Sequence, residues 1–314
     1  MEEALYSDLG FFNTDQVRSD KEGDFLTSPE VSKYFGKIIR NWIHSERNLK
    51  NIIEIGSGTG SLIEQIGIKE ITAVELSSTA REELIKKGID THTTIDELTT
   101  KTSDLIFGNE ILDNIPCSIG LYKDEGWYEK VVLLEENSLA YGLRPIRNEE
   151  LDWINKNNIV PNEDYEFEIQ VNIEKFLNSV IKKINPGKIL LFDYGYEQKN
   201  RDKRMYSSLL RTYKNHHLSV DPIDDPGNID ITYDVNFSSI SSELKYLGYD
   251  VTLKLQRDFL LDNGFNIFFD ELQEKYIAAE GIEKLKINSE LNGMKAIVDS
   301  NGLGGFYCLI AEKL

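Results

Sequence analysis

Two cysteines in 314 residues, Cys117 and Cys308, stand far apart in the chain. They exclude a disulfide framework and a cysteine-based zinc spacing, so a reducing compartment is the default expectation. Four scattered histidines suggest no metal. No apolar run approaches the roughly 20 residues that span a bilayer. The opening Met1-Glu2-Glu3-Ala4 is acidic, without a basic stretch leading into an apolar one. Neither a secretory signal nor an Arg-rich transit peptide is read there, and a cytoplasmic protein is expected. Positive charge is also short: 35 Lys and Arg against 54 Asp and Glu leave a net charge of −19. Such a chain repels nucleic-acid phosphates, which need basic grooves, and either suits cationic partners or owes its acidity to solubility alone. What is abundant is core material: 40% of residues are hydrophobic, enough for one large or two modest domains.

The informative stretch is Glu54-Ile55-Gly56-Ser57-Gly58-Thr59-Gly60, directly after Ile52-Ile53. It reads as a buried strand, a tight glycine turn and a following helix. The crevice beyond the carboxyl end of such a strand is where open α/β sheets bind nucleotides. Glycine lets the backbone take positive φ and approach a ligand closely. A dinucleotide fingerprint needs a third glycine where Ser61 stands, which disfavours a nicotinamide oxidoreductase. A second apolar strand, Ile71-Thr72-Ala73-Val74, ends at Glu75, whose carboxylate suits a ribose diol. The plainer alternative is a packing turn beside an ordinary surface Glu.

Elsewhere, Ser28 reads as an N-cap with Pro29 at the first helical position. A single helix from there carries Val31, Tyr34, Phe35, Ile38, Ile39, Trp42 and Ile43 on one stripe. Strands are expected at 51–55, 71–75 and 104–107, with helices from Ser61 and Ser78 between them. This alternation predicts a doubly wound α/β sheet. Trp127–Leu134 and Leu139–Ile146 read as a hairpin, 149–157 as a helix and 165–169 as a strand. A helix at 173–184 is followed by a break at Pro186-Gly187 and a strand at 188–193. Residues 195–233 show little periodicity, and loops that long are usually functional or disordered. A helix at 238–247, a strand at 250–255, a helical region at 268–287 and strands at 295–298 and 306–311 complete the reading. The implied division is an N-terminal helical segment (1–50), a core (51–115, 173–194 and 234–314) and two insertions (116–172 and 195–233).

Several blocks together resemble the MidA family of S-adenosylmethionine (SAM)-dependent methyltransferases. They are Gly23–Glu30, Glu54–Gly60, Asn109-Glu110-Ile111-Leu112-Asp113-Asn114-Ile115-Pro116, Trp127–Lys130, Asp193-Tyr194-Gly195, Leu210–Tyr213 with His216, and Pro226–Phe237. The family's usual Asp-Ala-Leu-Pro is here Asp113-Asn114-Ile115-Pro116, and its Met-Gly-x-x-Phe-Lys is reduced to Gly293-Met294-Lys295. The resemblance implies a class I methyltransferase fold, Rossmann-like, with a seven-stranded mostly parallel sheet and insertions forming a substrate-binding subdomain. It implies SAM as cofactor, S-adenosylhomocysteine as product, and protein arginine N-methylation of a respiratory complex I-type subunit. A non-catalytic SAM-binding assembly factor and a methyltransferase for another nitrogen or oxygen acceptor are the alternatives.

On that footing Glu54, Gly56, Ser57, Gly58, Gly60 and Glu75 bind the cofactor, with Asp24 and Thr27 closing over it. Glu110 and Asp113 clamp a guanidinium, and Asn109 offers a carbonyl acceptor. Carboxylates match the guanidinium fork in paired hydrogen bonds, and the cation stays charged at any working pH. Otherwise Asp113 caps a short helix and Glu110 is solvated. Arg211, Tyr213, His216, Asp230, Thr232 and Asp234 form either a substrate-facing wall or a hydrogen-bonded network that orders their loop.

Overall fold

A computed structural model describes residues 1–13, 27–46, 49–98, 103–136, 138–203, 209–214, 217–218 and 221–313. The chain opens with α1 (Glu2–Tyr6) and a 3-10 turn at Phe11–Asn13. Next come α2 (Ser28–Val31) and α3 (Tyr34–Ser45). The helix expected to run unbroken from Ser28 is therefore two, because Ser32 takes extended dihedrals between them. The cap position also moves. Thr27 precedes the first helical residue, whereas Ser28 is buried and its hydroxyl accepts a hydrogen bond from Gln256 Nε2 at 3.1 Å. A buried long-range partner has replaced the local backbone donor.

The alternation then proceeds through β1 (Ile52–Ile55), α4 (Ser61–Ile66), β2 (Ile71–Val74), α5 (Ser78–Lys86), β3 (Thr91–His92) and β4 (Ser103–Asn109). Between β4 and the next core strand lie β5 (Ser118–Lys123), β6 (Gly126–Glu135), β7 (Ser138–Pro145), α6 (Asn148–Lys156) and β8 (Tyr165–Ile169). These four strands make an antiparallel sheet in the order β7-β6-β5-β8. After α7 (Val171–Ile181), β9 (Ile184–Asp193) returns to the centre. Residues 195–236 hold β10 (Gly195–Tyr196), β11 (Leu210–Lys214), β12 (His217–Leu218), β13 (Asp230–Tyr233) and β14 (Val235–Asn236). The chain finishes with α8 (Phe237–Tyr246), β15 (Asp250–Leu255), α9 (Gln256–Asp262), α10 (Phe265–Ala278), α11 (Gly281–Val298) and β16 (Tyr307–Lys313).

The central sheet has seven strands in the order β15-β16-β9-β4-β1-β2-β3. Every neighbouring pair is parallel except those made by β16, which is antiparallel to both β9 and β15. Strand alternation splits the core into two layers. Leu190 and Phe192 of β9 face the cluster containing Phe35, Trp42, Phe259 and Met294. Ile189 and Leu191 face the cluster containing Leu177, Val180, Ile240 and Leu244.

Three local expectations need correcting. Pro186-Gly187 does not interrupt the chain before β9 but lies within it. The register steps from Ser103↔Ile184 to Leu105↔Lys188, so a bulge absorbs the proline where no regular ladder bond is required. Residues 295–298, expected as a strand, end α11 instead. Leu291, Met294 and Ile297 fall three apart and are buried together, so helical packing overrides the short apolar run. The region expected to be aperiodic, 195–233, supplies a three-stranded antiparallel sheet, β12-β11-β13. No helix among the described residues is long and apolar enough to cross a membrane.

Phe192 joins the layers on one face, with edge-on ring contacts at 5.2 Å to both Phe35 and Phe259. Phe192→Ala should therefore cost about 3–5 kcal/mol of unfolding free energy. Denaturant titration followed by circular dichroism measures it.

Candidate active site

β1 leads into the glycine loop. Gly56, Gly58 and Gly60 have φ of 68°, 51° and 84°, all in the left-handed region that glycine adopts without strain. A Cβ on Gly56 would stand 2.3 Å from Ile111 Cγ2, so the loop also needs the missing side chain for packing. Glu75, one residue past β2, clamps this loop. Its Oε2 accepts from Gly58 N at 2.8 Å and its Oε1 from Ser77 N at 2.7 Å. A carboxylate can accept about four hydrogen bonds, so capacity remains for a ligand. Glu54 is 2% exposed, and its Oε2 has no hydrogen-bond partner. Burial pushes its carboxyl well above the usual range, and the charges of Glu75 and Glu30 add to this.

These groups open on a cavity of about 250 Å³. The glycine loop, Val74–Ser77 and Phe176 line it, as do Thr27, Pro29 and Glu30 around α2. Asn109, Glu110, Ile111, Asn114 and Ile115 contribute a further wall, and Tyr6 and Phe12 from the N-terminal segment another. Four carboxylates thus belong to its lining: Glu30, Glu54, Glu75 and Glu110.

Glu110 follows β4 with φ 52°, a conformation that non-glycine residues adopt rarely and that concentrates at functional sites. Its Oε1 accepts from Asn109 Nδ2 at 3.1 Å and from Ser28 N at 3.3 Å. Burial, reinforced by the nearby Asp113 charge, pushes the Glu110 carboxyl up to about 8. Asn109 Oδ1 is buried without a partner. Asp113, expected beside Glu110, is 4% exposed and does not line the cavity. It accepts a hydrogen bond from the Tyr194 hydroxyl behind the wall. Burial raises its carboxyl to about 6, while Tyr194 and Arg211 draw it down.

Of the six residues read as a substrate wall, Arg211, Asp230, Thr232 and Asp234 are buried and absent from the cavity lining. Arg211 Nη2 lies 2.9 Å from Asp234 Oδ1, and its guanidinium sits 4.9 Å from the Tyr194 ring centre. Asp230 Oδ1 accepts from Asn114 Nδ2 at 2.9 Å. Tyr213, half-buried on β11, pairs across to Asp230. His216 and the expected cofactor residue Asp24 lie outside the described residues. Thr27 lines the cavity.

Three contributors, Asp193, Tyr6 and Phe12, are given no site role by the sequence reading. Asp193 is fully buried and accepts from Leu112 N at 2.8 Å, Asp113 N at 3.3 Å and Tyr194 N at 2.9 Å. Its place at the end of a central strand and within the Asp193-Tyr194-Gly195 block of the family resemblance are the signals that point to it. Tyr6 and Phe12 carry no motif at all; only the fold brings them to the cavity.

Residues 36–252 match the family described as "Putative S-adenosyl-L-methionine-dependent methyltransferase". The chain belongs to this family. The methyltransferase is 25% identical to the mitochondrial protein arginine methyltransferase NDUFAF7 homologue of Caenorhabditis elegans, over 81% of this chain and 68% of that protein. It is 25% identical to the Danio rerio protein arginine methyltransferase NDUFAF7, also mitochondrial, over 85% and 72%. A Burkholderia thailandensis structure bound to S-adenosyl-homocysteine superposes with a TM-score of 0.86 at 22% identity, covering 99% of this chain and 86% of that one. The shared fold is the class I architecture read from the sequence.

The relatives' mitochondrial location overturns the expected cytoplasmic one. That expectation rests on the reading of the acidic opening residues, and the cysteine count beside it speaks of a reducing compartment, not of which compartment.

SAM is the methyltransferase's cofactor, and its chemistry fits the residues present. The glycine cradle leaves room for backbone approach, Glu75 has lone pairs for a diol, and the unpartnered Glu54 Oε2 suits an ammonium or sulfonium cation.

Two outcomes follow for binding. Gly58→Val puts a branched side chain at φ 51° beside the Glu75 contact. SAM affinity should fall at least tenfold in titration calorimetry while the folded circular-dichroism spectrum persists. The second concerns pH. Because burial makes Glu54 and Glu75, beside the glycine loop, bind protons more tightly than ordinary carboxyls, a cation should expel protons on binding. SAM carries a sulfonium and S-adenosylhomocysteine does not. The ratio of their affinities should therefore grow from pH 6 to pH 8, and a flat ratio would show that the carboxylates do not sense the sulfonium.

Proposed function

We propose that the chain is a protein arginine N-methyltransferase that acts on a subunit of respiratory complex I type. The observation that carries this reading is the carboxylate-lined cavity, in which Glu110 and the unpartnered Asn109 Oδ1 belong to the loop that packs beside the glycine loop through Ile111. The names of the relatives support the same acceptor. The net charge of −19 favours capture of a basic peptide.

SAM, when bound, supplies a methyl carbon already activated by the sulfonium for in-line displacement. The chain's own residues then have three tasks. Glu110 accepts hydrogen bonds from the acceptor guanidinium and draws its positive charge away from the nitrogen that attacks. Asn109 Oδ1 takes a further N–H. Asp113 acts from behind, holding Tyr194 and Arg211 and keeping negative charge close to Glu110. A carboxyl poised near 8 is well matched to receive the proton that the methylated nitrogen sheds. In this reading the described parts of 116–172 and 195–233 build the substrate-binding side of the molecule, and Tyr213 belongs to it.

Glu110→Gln keeps the shape and removes the charge. It should lower the methylation rate on the order of a hundredfold, as loss of one preorganised electrostatic group does, with SAM affinity little changed. For the unaltered enzyme, kcat/KM should climb with pH, with its midpoint where the free Glu110 loses its proton, about 8, and level off above it. The substitution should flatten that profile.

The acceptor itself is tested by incubating the protein with labelled SAM and a lysate from cells lacking it. Fragmentation of the labelled protein should put the mass shift on arginine. Label on lysine, glutamine, a chain terminus or a small molecule would overturn the arginine reading and leave the family membership untouched.

A further inference from the structure

The cavity wall that no motif marks is the aromatic one. The Tyr6 and Phe12 rings stack at 5.5 Å between centroids and 23° between planes. The pair is anchored from below. Phe12 meets the edge of Phe11 at 5.2 Å, and Phe11 is fully buried with Leu5, Ile229 and Ile231. The turn between the two rings is fixed by Asn13 Nδ2, which donates to Tyr6 O at 2.8 Å and Ser7 O at 3.0 Å. The Tyr6 hydroxyl donates to Asn114 O at 3.1 Å, on the same loop that carries Asn109 and Glu110.

Burial pushes the Tyr6 phenol up, and the charges of Asp113, Asp230 and Glu75 push the same way, so it keeps its proton and is no base. What Tyr6 and Phe12 offer the cavity is ring surface. Bonded to the Glu110 loop, this surface borders a space rich in carboxylates. An aromatic face attracts a cation, and a planar guanidinium stacks on it better than a compact, strongly hydrated ammonium.

Taking the acceptor to be the arginine proposed above, we infer that Tyr6 and Phe12 form the stacking surface for the acceptor guanidinium and select arginine over lysine. The carboxylate wall supplies charge, which arginine and lysine share. The ring wall supplies planarity, which only arginine matches.

Steady-state methylation of an arginine peptide and of its lysine counterpart tests this, alongside SAM affinity by calorimetry. Tyr6→Leu with Phe12→Leu removes the π faces but keeps the apolar volume. KM for the arginine peptide should rise about tenfold, the loss of one desolvated cation–π contact. The arginine-to-lysine preference should shrink, and SAM affinity should hold within about twofold. Tyr6→Phe keeps the ring and loses the Asn114 bond, so its KM should rise only about twofold. An unchanged arginine KM in the double variant overturns the inference alone. A parallel loss of SAM affinity also overturns it, by assigning the rings to the donor. Absence of arginine methylation by the unaltered protein overturns the proposed function, and the inference with it.

Discussion

Asp193 ends β9 deep in the molecule, and three backbone N–H groups converge on its carboxylate, those of Leu112, Asp113 and Tyr194. Burying a charged group is costly unless donors surround it. Here two of the three donors, those of Leu112 and Asp113, come from the loop that leaves β4, so satisfying one acid fixes the course of the chain around another, Glu110. The same loop is gripped from its far side. The Tyr233 hydroxyl lies 3.0 Å from Leu112 O and 2.7 Å from Ile115 O, and Asn114 Nδ2 reaches Asp230 and Ile231. With so many contacts, Glu110 can be held in its left-handed conformation, which an unsupported loop would relax.

This arrangement gives the segment 195–233 a physical role. Asp230 and Tyr233 turn inward and brace the carboxylate loop, and Arg211 is set between Tyr194 and Asp234, the residue just past the segment. Asp113 belongs to this brace more than to the cavity. Its influence on Glu110 is electrostatic: two nearby acids in a buried setting raise each other's proton affinity. The region therefore stores protons that an incoming cation can displace.

The parts legible in the sequence are those governed by local rules. The Gly56–Gly60 turn, the strands that end at Glu54-Ile55 and Val74, and the stripe on α3 follow from glycine chemistry and apolar period. The illegible parts are those decided by distant partners. Ser28 looks like a cap until Gln256 takes its hydroxyl. Lys295–Val298 looks like a strand until the spacing of Met294 and Ile297 is set against the helical layer. Asp113 reads as a surface clamp because no local signal shows Tyr194 waiting for it. Tyr6 and Phe12 are ordinary aromatics in the sequence, and their place on the cavity comes from packing against Ile229 and Ile231, more than 200 residues away.

The position of β16 bears on how the molecule comes together. This strand enters between β9 and β15 and pairs with both along its length. Until it emerges, β9 presents a bare edge at the very place where Asp193 must hold the carboxylate loop. During synthesis the glycine loop and its neighbouring strands can assemble early from local contacts, but the sheet stays split. Pairings of such long sequence separation form slowly and leave strand edges exposed meanwhile. A growing chain would therefore pass through a stage in which a half-built cofactor cradle stands beside an open β edge, the period when a chaperone would matter most.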